Sequence, residues 1–581
     1  MNQFDRRQHG VGAGTTPACA GSVDRVLRTV LHRSAALSVC VIISAVPARG
    51  QTVMSDSIRP WLMPVPGSPA ERYVRSLEVG GLRPKRSVAV RDGFEQWVGI
   101  EGSGPSESGP WGGVYRSMPS GSTRWGLLPA RAMTAFNSGF PYQRGEGPVW
   151  YGRGFTHAVE AGVLVRWGPL RAVLNPLWFR AENESFELAQ TRSGGGDYVF
   201  QSPLQTAGRL DMPQRFGFGA YQGLALGSSA LRLDVTGVSL GLSSAPQKWG
   251  PGDLHPMVLG DAAGGVPHLF VGTQRPIPAL IGRLSARYVA ARTRQSQWSV
   301  GDGLARERVL NGFVIALQPR GLSGLELGVT RLFHSPWPGE GAEANMTTLI
   351  LRPFEGLIKS GLSGVNRRID DQFASAFFRW MPVRGSFEVF GEFARVDHSW
   401  DARVAFLEPD DIAGYTLGFR KVWISDPQHM TALRGESIVS GSTHRERGGA
   451  RLQLAERAFV FYSGVRGLGG LTHRGLILST TAGAYGNAQS LGLDRYSPVG
   501  RWTLELDRTV VRDETLGIAP HESVGPDVLY AFTGEFSRFV GTWDLEFSSS
   551  WLLNLNRYLV RDASSVRFRL IVSRRFGRPP L

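Results

Sequence analysis

The chain has 581 residues, 42% of them hydrophobic, and a formal net charge of +15 at pH 7. This length and apolar fraction suffice for a large folded core and exclude a mainly disordered chain. After the first fifty residues there is no apolar run of about 18 residues, which excludes a membrane protein that crosses the bilayer repeatedly with helices. With only two cysteines, a disulfide-stabilised scaffold is excluded as well.

The first fifty residues have the pattern of a secretory signal peptide. Several arginines precede an apolar stretch, 34–46, which ends at the small-residue site 48–50. We predict that residues 1–50 are removed and that the mature chain begins near Gln51. The basic region before the apolar stretch is unusually long, which leaves a downstream start codon open.

Both cysteines, Cys19 and Cys40, lie in the predicted signal peptide. The mature chain would therefore contain no thiol, in keeping with export to an oxidising compartment. Lipid attachment at Cys40 is a weaker alternative, because Val39 is a poor residue before a lipidated cysteine and the apolar run continues past it.

The positive charge comes almost entirely from arginine, scattered along the chain and not clustered. Scattered charge and export argue against nucleic acid as a partner. Anionic polysaccharide or lipopolysaccharide fits the expected compartment better. A coding bias toward arginine in a GC-rich genome explains the charge equally well.

The most informative pattern is a strict alternation of apolar and polar residues over about ten positions, which ends at Gly, Pro, Asp or Ser. In the segment 543–555, Trp543, Phe547 and Trp551 fall on one face, whereas Asp544 falls on the other. Two further clear examples are the segments 387–394 and 501–507. Such alternation predicts strands with one apolar and one polar face.

Strand length separates a soluble β-sandwich from a membrane barrel. Soluble strands average about five or six residues, whereas a tilted strand needs about ten to cross a bilayer. The segments here reach ten, and the last one ends at the aromatic Phe576, which is typical of bacterial outer-membrane barrels. We predict an all-β fold, a single antiparallel transmembrane β-barrel of about 18 strands over residues 111–576, followed by a short tail, 577–581.

One segment departs from the alternation. Residues 69–79 have the spacing of a short amphipathic helix that ends before Gly80 and Gly81. We expect this helix to belong to an N-terminal segment, 51–110, on the periplasmic side of the barrel.

Several short motifs, each weak alone, occur in the order found in a known family. The chain resembles the capsule assembly protein Wzi family through Asn137 to Pro141, Tyr151 to Gly154, Lys248 to Gly252, His255 to Gly260, Pro267 to Pro276, Asp371 to Phe373, Arg379 to Trp380 and Thr472 to Gly475. The resemblance implies an outer-membrane barrel of about eighteen strands that helps to retain exported polysaccharide at the bacterial cell surface by lectin-like binding.

Within this resemblance, Trp249 stands in a stretch that Gly250, Pro251 and Gly252 constrain. A tryptophan face stacks on sugar rings, and nearby polar groups bond sugar hydroxyls or pair with acidic sugars. The candidate substrate-binding residues are Trp249, His255, His268, Arg275, Asp371 and Gln372. The alternative, which we favour, is that this long Pro/Gly-rich segment folds into the lumen and seals it, with Trp249 packed against a neighbour.

Candidate catalytic patterns have simpler explanations. Asp370, Asp371, Glu388 and Glu392 are expected to pair with lumen arginines such as Arg379, because polar strand faces line the lumen. The Gly-x-Ser-x-Gly pattern at 237–241 lies in a predicted strand, not at the strand-to-helix turn that a nucleophile requires. His473 has no His or Cys at metal-ligand spacing. We therefore expect no enzyme activity, no metal and no cofactor.

The leading hypothesis is a non-enzymatic, polysaccharide-binding barrel in the bacterial outer membrane. Its expected partners are surface or capsular polysaccharide, outer-membrane lipid, lipopolysaccharide and, during biogenesis, the barrel assembly machinery. The alternative is a diffusion porin or a sugar-selective channel. A folded-in lumen would favour the first hypothesis, and a continuous pore would favour the second.

Overall fold

A closed antiparallel β-barrel dominates the structure and confirms the predicted fold. The computed structural model describes residues 64–92, 109–115, 123–189, 199–201, 209–299, 305–339, 345–354, 370–382, 385–396, 413–440, 461–464, 467–512 and 525–576. The predicted signal peptide and tail lie outside these ranges. Within them, 23 strand segments form the barrel, and five pairs of consecutive segments are halves of one interrupted strand, which gives 18 strands, as predicted.

Strands that follow one another in the chain pair with each other, and β18 pairs with β1 to close the barrel. The strands are β1 (Thr123–Leu127 and Ala130–Asn137), β2 (Gly154–Glu160 and Val163–Trp167), β3 (Leu170–Leu174 and Leu177–Ala181), β4 (Tyr221–Ala225 and Ala230–Val235), β5 (Val238–Ser243), β6 (His268–Thr273 and Ile277–Ala279), β7 (Gly282–Arg294), β8 (Glu307–Pro319), β9 (Leu325–Pro336), β10 (Asp371–Trp380), β11 (Phe387–Val396), β12 (Ala413–Asp426), β13 (His429–Val439), β14 (Asn487–Ser497), β15 (Gly500–Arg512), β16 (Asp527–Val540), β17 (Trp543–Arg557) and β18 (Arg561–Arg574). The helices are α1 (Pro69–Val79) and α2 (Met346–Leu351), and a 3₁₀ turn follows at Arg352–Phe354.

The two ends of the barrel differ in the length of their connections. At one end, tight turns such as Gly168 and Pro169 between β2 and β3 join neighbouring strands. At the other end lie the long connections, including 244–267 between β5 and β6 and 440–486 between β13 and β14. We call these the short-turn end and the long-loop end; in bacterial outer-membrane barrels, short turns face the periplasm.

The outer face of the barrel is apolar, as the alternation predicts. Trp543 and Trp551 are 43% and 52% exposed, and Phe547 between them stacks on Phe568 of the neighbouring strand. On the opposite face of β17, Asp544 and Ser548 are buried. The predicted outward orientation of the three aromatic side chains is therefore confirmed. No helix among the described residues is both long and apolar enough to cross a membrane.

Helix α1 has the bounds predicted from the sequence. Ser68 caps its N-terminus by accepting a hydrogen bond from the Glu71 backbone N–H at 3.2 Å, and Pro69 occupies the first turn, where no N–H is needed. The helix lies inside the barrel, because Tyr73 and Leu77 pack in one buried cluster with inward side chains of the wall such as Tyr496. Residues 64–92 thus help to fill the lumen near the short-turn end.

Four neighbouring strands, β1 to β4, are interrupted near their middle. The breaks fall at 128–129, 161–162, 175–176 and 226–229. Pairing continues on both sides of each break, with β2 joined to β3 by Val163–Leu174 on one side and Glu160–Leu177 on the other. The breaks line up across adjacent strands and form one irregular band in the wall, which we call the break line.

Candidate functional site

The connection 244–267, here called the lumen segment, folds into the barrel. Lys248 and Trp249 pair with Val90 and Arg91 in a two-stranded sheet inside the lumen. The Trp249 side chain is 0% exposed, and its Nε1 donates to Gln247 Oε1 at 3.1 Å. The segment therefore packs as an internal plug.

Two wall carboxylates hold the backbone of the lumen segment. Glu436 on β13 accepts hydrogen bonds from the N–H groups of Asp253, Leu254 and His255 at 2.8–3.1 Å. Glu392 on β11 accepts one from the Met257 N–H at 3.1 Å. Carboxylates that accept backbone N–H bonds form strong, directional contacts. They fix this part of the segment to the wall.

Glu392 also accepts a hydrogen bond from Ser375 Oγ at 2.6 Å. It thus bonds backbone and hydroxyl groups, where the sequence led us to expect an arginine. The expectation holds for Glu388, which forms an ion pair with Arg379.

Helix α1 is tied to the same plug by buried ion pairs. Arg75 contacts Glu388 on β11 and Asp253 in the lumen segment, the second at 2.6 Å, and Asp253 also pairs with Arg420 on β12. Burial would raise the pKa of Asp253, but the guanidinium groups of Arg75 and Arg420 outweigh it and hold the pKa well below its usual value. The carboxylate therefore stays ionised and links helix, plug and wall.

The two candidate histidines are buried. His255 Nδ1 lies 2.9 Å from Thr480 Oγ1, and burial, reinforced by Arg144 and Lys248, lowers the pKa of His255 to about 3. His268, at the start of β6, donates from Nδ1 to the Val266 carbonyl at 2.7 Å. The His255 imidazole is neutral at physiological pH and serves as an internal hydrogen-bonding group.

The other candidates lie apart from these. Arg275 is exposed in the break between the halves of β6, next to Gln274, whose N–H bonds the Gly237 carbonyl in a short turn. Asp371 is buried at the long-loop end of β10, whereas Gln372 accepts from Arg331 Nη2 at 3.0 Å. The structure does not bring the six candidates together in one open site. Their contact with sugar stays a prediction.

An open cavity of about 330 Å³ lies at the long-loop end. Of the six candidates, His255 is in its lining and the other five are not, so sequence reasoning reached only one edge of it. We call it the vestibule; its lining includes Phe140, Tyr142, Asp527, Asn554, Arg557 and Tyr558. It therefore combines aromatic rings with amide, carboxylate and guanidinium groups. Among the described residues, no group of three or more His, Cys, Asp and Glu side chains is placed to hold a metal ion.

The centre of the vestibule lining is the Arg557 side chain. Its guanidinium carbon lies 4.1 Å from the Phe140 ring centroid and 4.2 Å from the Tyr558 ring centroid. Nη1 donates to Asn554 Oδ1 at 2.8 Å, and Nη2 donates to the Tyr558 hydroxyl at 2.6 Å. Stacking and hydrogen bonds together fix the orientation of the guanidinium group.

The backbone at the turn between β17 and β18, which positions Arg557 and Tyr558, is strained. Asn556, Tyr558 and Leu559 have φ values of 55°, 56° and 63°, a left-handed conformation that non-glycine residues rarely adopt. Asp527 Oδ2 compensates by accepting the Tyr558 N–H at 2.8 Å, and Asp562 accepts the Asn556 N–H at 2.8 Å. From the sequence these residues suggest only an ordinary turn, so no local signal identified the site.

This chain forms a closed barrel with an apolar outer band, a polar interior and a segment folded into the lumen. These features place it in the class of outer-membrane β-barrels. No protein-family model matches the chain. No curated protein matches it either. The described structure is similar to Wzi of Escherichia coli, an outer-membrane protein involved in group 1 capsule assembly and a carbohydrate-binding β-barrel, with a TM-score of 0.56, 13% identity and coverage of 88% of this chain and 99% of that chain.

Two bacterial barrels show looser similarity. OccK2 (OpdF) of Pseudomonas aeruginosa has a TM-score of 0.38 and 10% identity, over 78% of this chain and 98% of that one. OccAB2 of Acinetobacter baumannii has a TM-score of 0.37 and 11% identity, over 77% and 98%. The similarity to Wzi establishes a shared fold.

Proposed function

We propose that this protein resides in the bacterial outer membrane and binds exported polysaccharide at the cell surface through the vestibule, without catalysis. The observation that carries the proposal is the guanidinium of Arg557 held between the rings of Phe140 and Tyr558. The short-turn end then faces the periplasm and the long-loop end, with the vestibule, faces the exterior.

The chemistry of the vestibule suits a sugar chain. A tyrosine ring packs against the apolar face of a pyranose, and the rigid donors of an arginine bond hydroxyl or carboxylate groups at its edge. Asn554 and Asp527, both 1% exposed, hold the turn and leave Arg557 and Tyr558 to meet the ligand. Acidic polysaccharide is the best match, because a guanidinium pairs with a sugar carboxylate in two-point contacts.

The packed lumen supports binding in preference to free diffusion. Trp249 and Tyr462 are fully buried where a porin would keep its water-filled path, and the ion pairs of Arg75 close the region beside helix α1. Because these contacts fill the lumen, we favour polysaccharide binding over a channel function.

The decisive experiment replaces Arg557 by alanine and measures glycan binding by whole cells and by the purified barrel. We expect affinity for acidic polysaccharide to fall roughly tenfold or more, equivalent to about 1.4 kcal/mol or more. Arg557→Lys should rescue little, because lysine lacks the planar group that stacks between two rings.

The matched control is Arg561→Ala, which removes an arginine from the same hairpin whose side chain is 68% exposed and paired with Glu187. Equal binding by both variants would contradict the proposal. Folding is checked by the heat-dependent shift of the barrel in gel electrophoresis, and planar bilayers test the alternative, since stepwise conductance of the wild-type protein would favour a channel.

A further inference from the structure

The break line crosses the wall at a depth where irregular backbone is unusual. Strand β2 runs from Gly154 at the long-loop end to Trp167 at the short-turn end, and its interruption at 161–162 falls midway. Outward side chains next to the break line are apolar, with Val159 48% and Leu224 68% exposed. This is the depth of the bilayer hydrocarbon, where irregular backbone occurs only where it is covered by protein or lines a cavity.

A cavity lies directly behind the break line. It has a volume of about 360 Å³ and is lined on the lumen side by Arg144 and Glu535 and on the wall side by Val159 and Leu224. The last two point outward from their strands and also line a groove on the outer surface, together with Trp178. A cavity that touches both faces of the wall reaches through it.

Several of the side chains through which the wall lines this cavity are apolar. Ala158 and Phe179, which are buried, and Leu177, which is partly buried, all face the lumen from β2 and β3. Met133 on β1 completes this surface. Arg144 and Arg569, which also line the cavity, have their charges balanced by Glu505 and Glu535. The wall side is therefore suited to hydrocarbon.

Polar groups gather at the rim of the passage. Glu160 accepts hydrogen bonds from Arg131 Nη1 at 3.3 Å and from Asn175 Nδ2 at 2.6 Å. Arg131 and Glu160 line both the cavity and the outer groove. Asn175 is 6% exposed, and its Oδ1 has no hydrogen-bond partner among the described residues. Of these groups, Arg131 as a donor and Glu160 as an acceptor line the passage itself and can meet a polar group of an entering lipid.

We propose that the break line is a lateral opening through which the acyl chain of an outer-membrane lipid enters the lumen cavity. The occupant follows from depth, because acyl chains are the only abundant material that meets the barrel halfway between its ends. It follows also from the lining, since Ala158, Leu177 and Phe179 offer an apolar surface continuous with the outer groove. This cavity adjoins the vestibule, and the two share the lining residues Arg144, Gly145, Trp150, Tyr151 and Leu476. Acyl-chain entry through the break line does not depend on sugar binding in the vestibule.

The test uses the full-length barrel in vesicles of phosphatidylethanolamine that carries a diazirine at the end of one acyl chain. After irradiation, mass spectrometry maps the labelled residues. We expect label on the inward residues Met133 and Leu177 as well as on the outward Val159. On β15, away from the break line, label should reach the outward Leu504 and not the inward Thr503.

A cavity-filling variant, Ala158→Trp, should reduce inward labelling at Met133 and Leu177 to background while leaving Leu504 labelled. Leu504→Trp adds the same side chain to the outer surface elsewhere and should leave the inward labels unchanged. Label confined to outward residues in the wild-type protein would overturn the proposal, and this result can be read even if Ala158→Trp fails to fold. Equal inward labelling in a folded Ala158→Trp barrel would also overturn it.

Discussion

Arg75 of helix α1 and Glu388 of strand β11 form a two-point ion pair inside the barrel, with Nε to Oε2 at 3.0 Å and Nη2 to Oε1 at 3.1 Å. Arg379 contacts the same carboxylate, which is 0% exposed. Arg420 on β12 lies 3.8 Å from it as well, so one wall carboxylate balances three guanidinium groups, one from the helix and two from the wall.

Replacing Glu388 by glutamine should destabilise the barrel by up to about 3–5 kcal/mol, because the buried arginines lose the carboxylate they share and keep only Asp253 and Glu78 as counter-charges. Urea unfolding in detergent, followed by tryptophan fluorescence, measures the change. Glu187→Gln removes a carboxylate whose side chain is 50% exposed and should leave stability within about 0.5 kcal/mol of wild type. Similar losses in both variants would refute a special role for the buried pair.

A second prediction concerns how tightly the lumen segment packs inside the barrel. A Cβ at Gly265 would lie 1.9 Å from the Ser244 carbonyl oxygen, so Gly265→Ala forces the backbone to move. We expect this variant to loosen the plug and to raise ion conductance in planar bilayers. At Gly219 a Cβ meets no atom within 4 Å, so Gly219→Ala should stay at the wild-type level. An unchanged Gly265→Ala would show that the plug tolerates the displacement.

A third prediction concerns pH. The pKa of buried His255 is about 3, below the unfolded value of about 6.5. As the pH falls below 6.5, His255 becomes protonated when the lumen segment is displaced but stays neutral when the segment is packed in the barrel. The free energy that favours the packed segment therefore falls by about 1.4 kcal/mol per pH unit until pH 3. Above pH 6.5 this histidine contributes no pH dependence.

His255→Asn should flatten this acid dependence, measured as the urea midpoint between pH 7 and pH 4. His473, whose pKa burial also lowers to about 3, remains in the variant and supplies part of the slope. A slope identical in both proteins would contradict the assignment to His255.

A fourth prediction tests the lipid-facing surface. Leu506 on β15 is 40% exposed on the apolar face, and an arginine near the bilayer midplane costs roughly 2–4 kcal/mol. Leu506→Arg should therefore lower stability in lipid vesicles by about that amount. Val499→Arg, in the turn before β15, places the same charge at the membrane boundary and should cost roughly 1 kcal/mol or less. Comparable losses at both positions would argue against a lipid-facing surface.

A fifth prediction concerns processing. Mature protein from outer membranes should begin near Gln51 and lack Cys19 and Cys40, as the basic and apolar stretches before residue 51 indicate. N-terminal sequencing and intact mass give the answer. A retained Met1, or a lipid on Cys40, would disprove it.

The sequence predicts the barrel well because alternation is a local property. Trp543 and Asp544 face opposite sides as soon as the strand forms, whatever lies beside it. Helix α1 is predictable for the same reason, since Ser68 and Pro69 mark its start within one turn. Local signals cannot tell that this helix lies inside the barrel, because that depends on partners such as Glu388, far along the chain.

The vestibule escaped prediction for a related physical reason. One of the two rings that stack on Arg557 belongs to Phe140, which is far away in the sequence, and neither residue carries a recognisable motif. Trp249 shows the converse, since a glycine and proline neighbourhood marks a constrained aromatic side chain but does not reveal whether it packs inward or meets a ligand. Composition and spacing identify segments whose backbone is constrained. Only the tertiary structure shows whether the side chains of such a segment are buried or accessible to a ligand.

The seam between β18 and β1 is the pairing with the longest separation in the barrel sequence. It pairs Arg567 with Asn137 and Arg574 with Ala130, residues that lie near opposite ends of the barrel sequence. Closing so long a loop is slow, because its entropy must be lost before the pairing forms. Helix α1 precedes the first strand in the chain and packs inside the wall that this seam completes. A chain that lacks the last strand would leave the edges of β17 and β1 unpaired and would leave helix α1 without a closed wall around it.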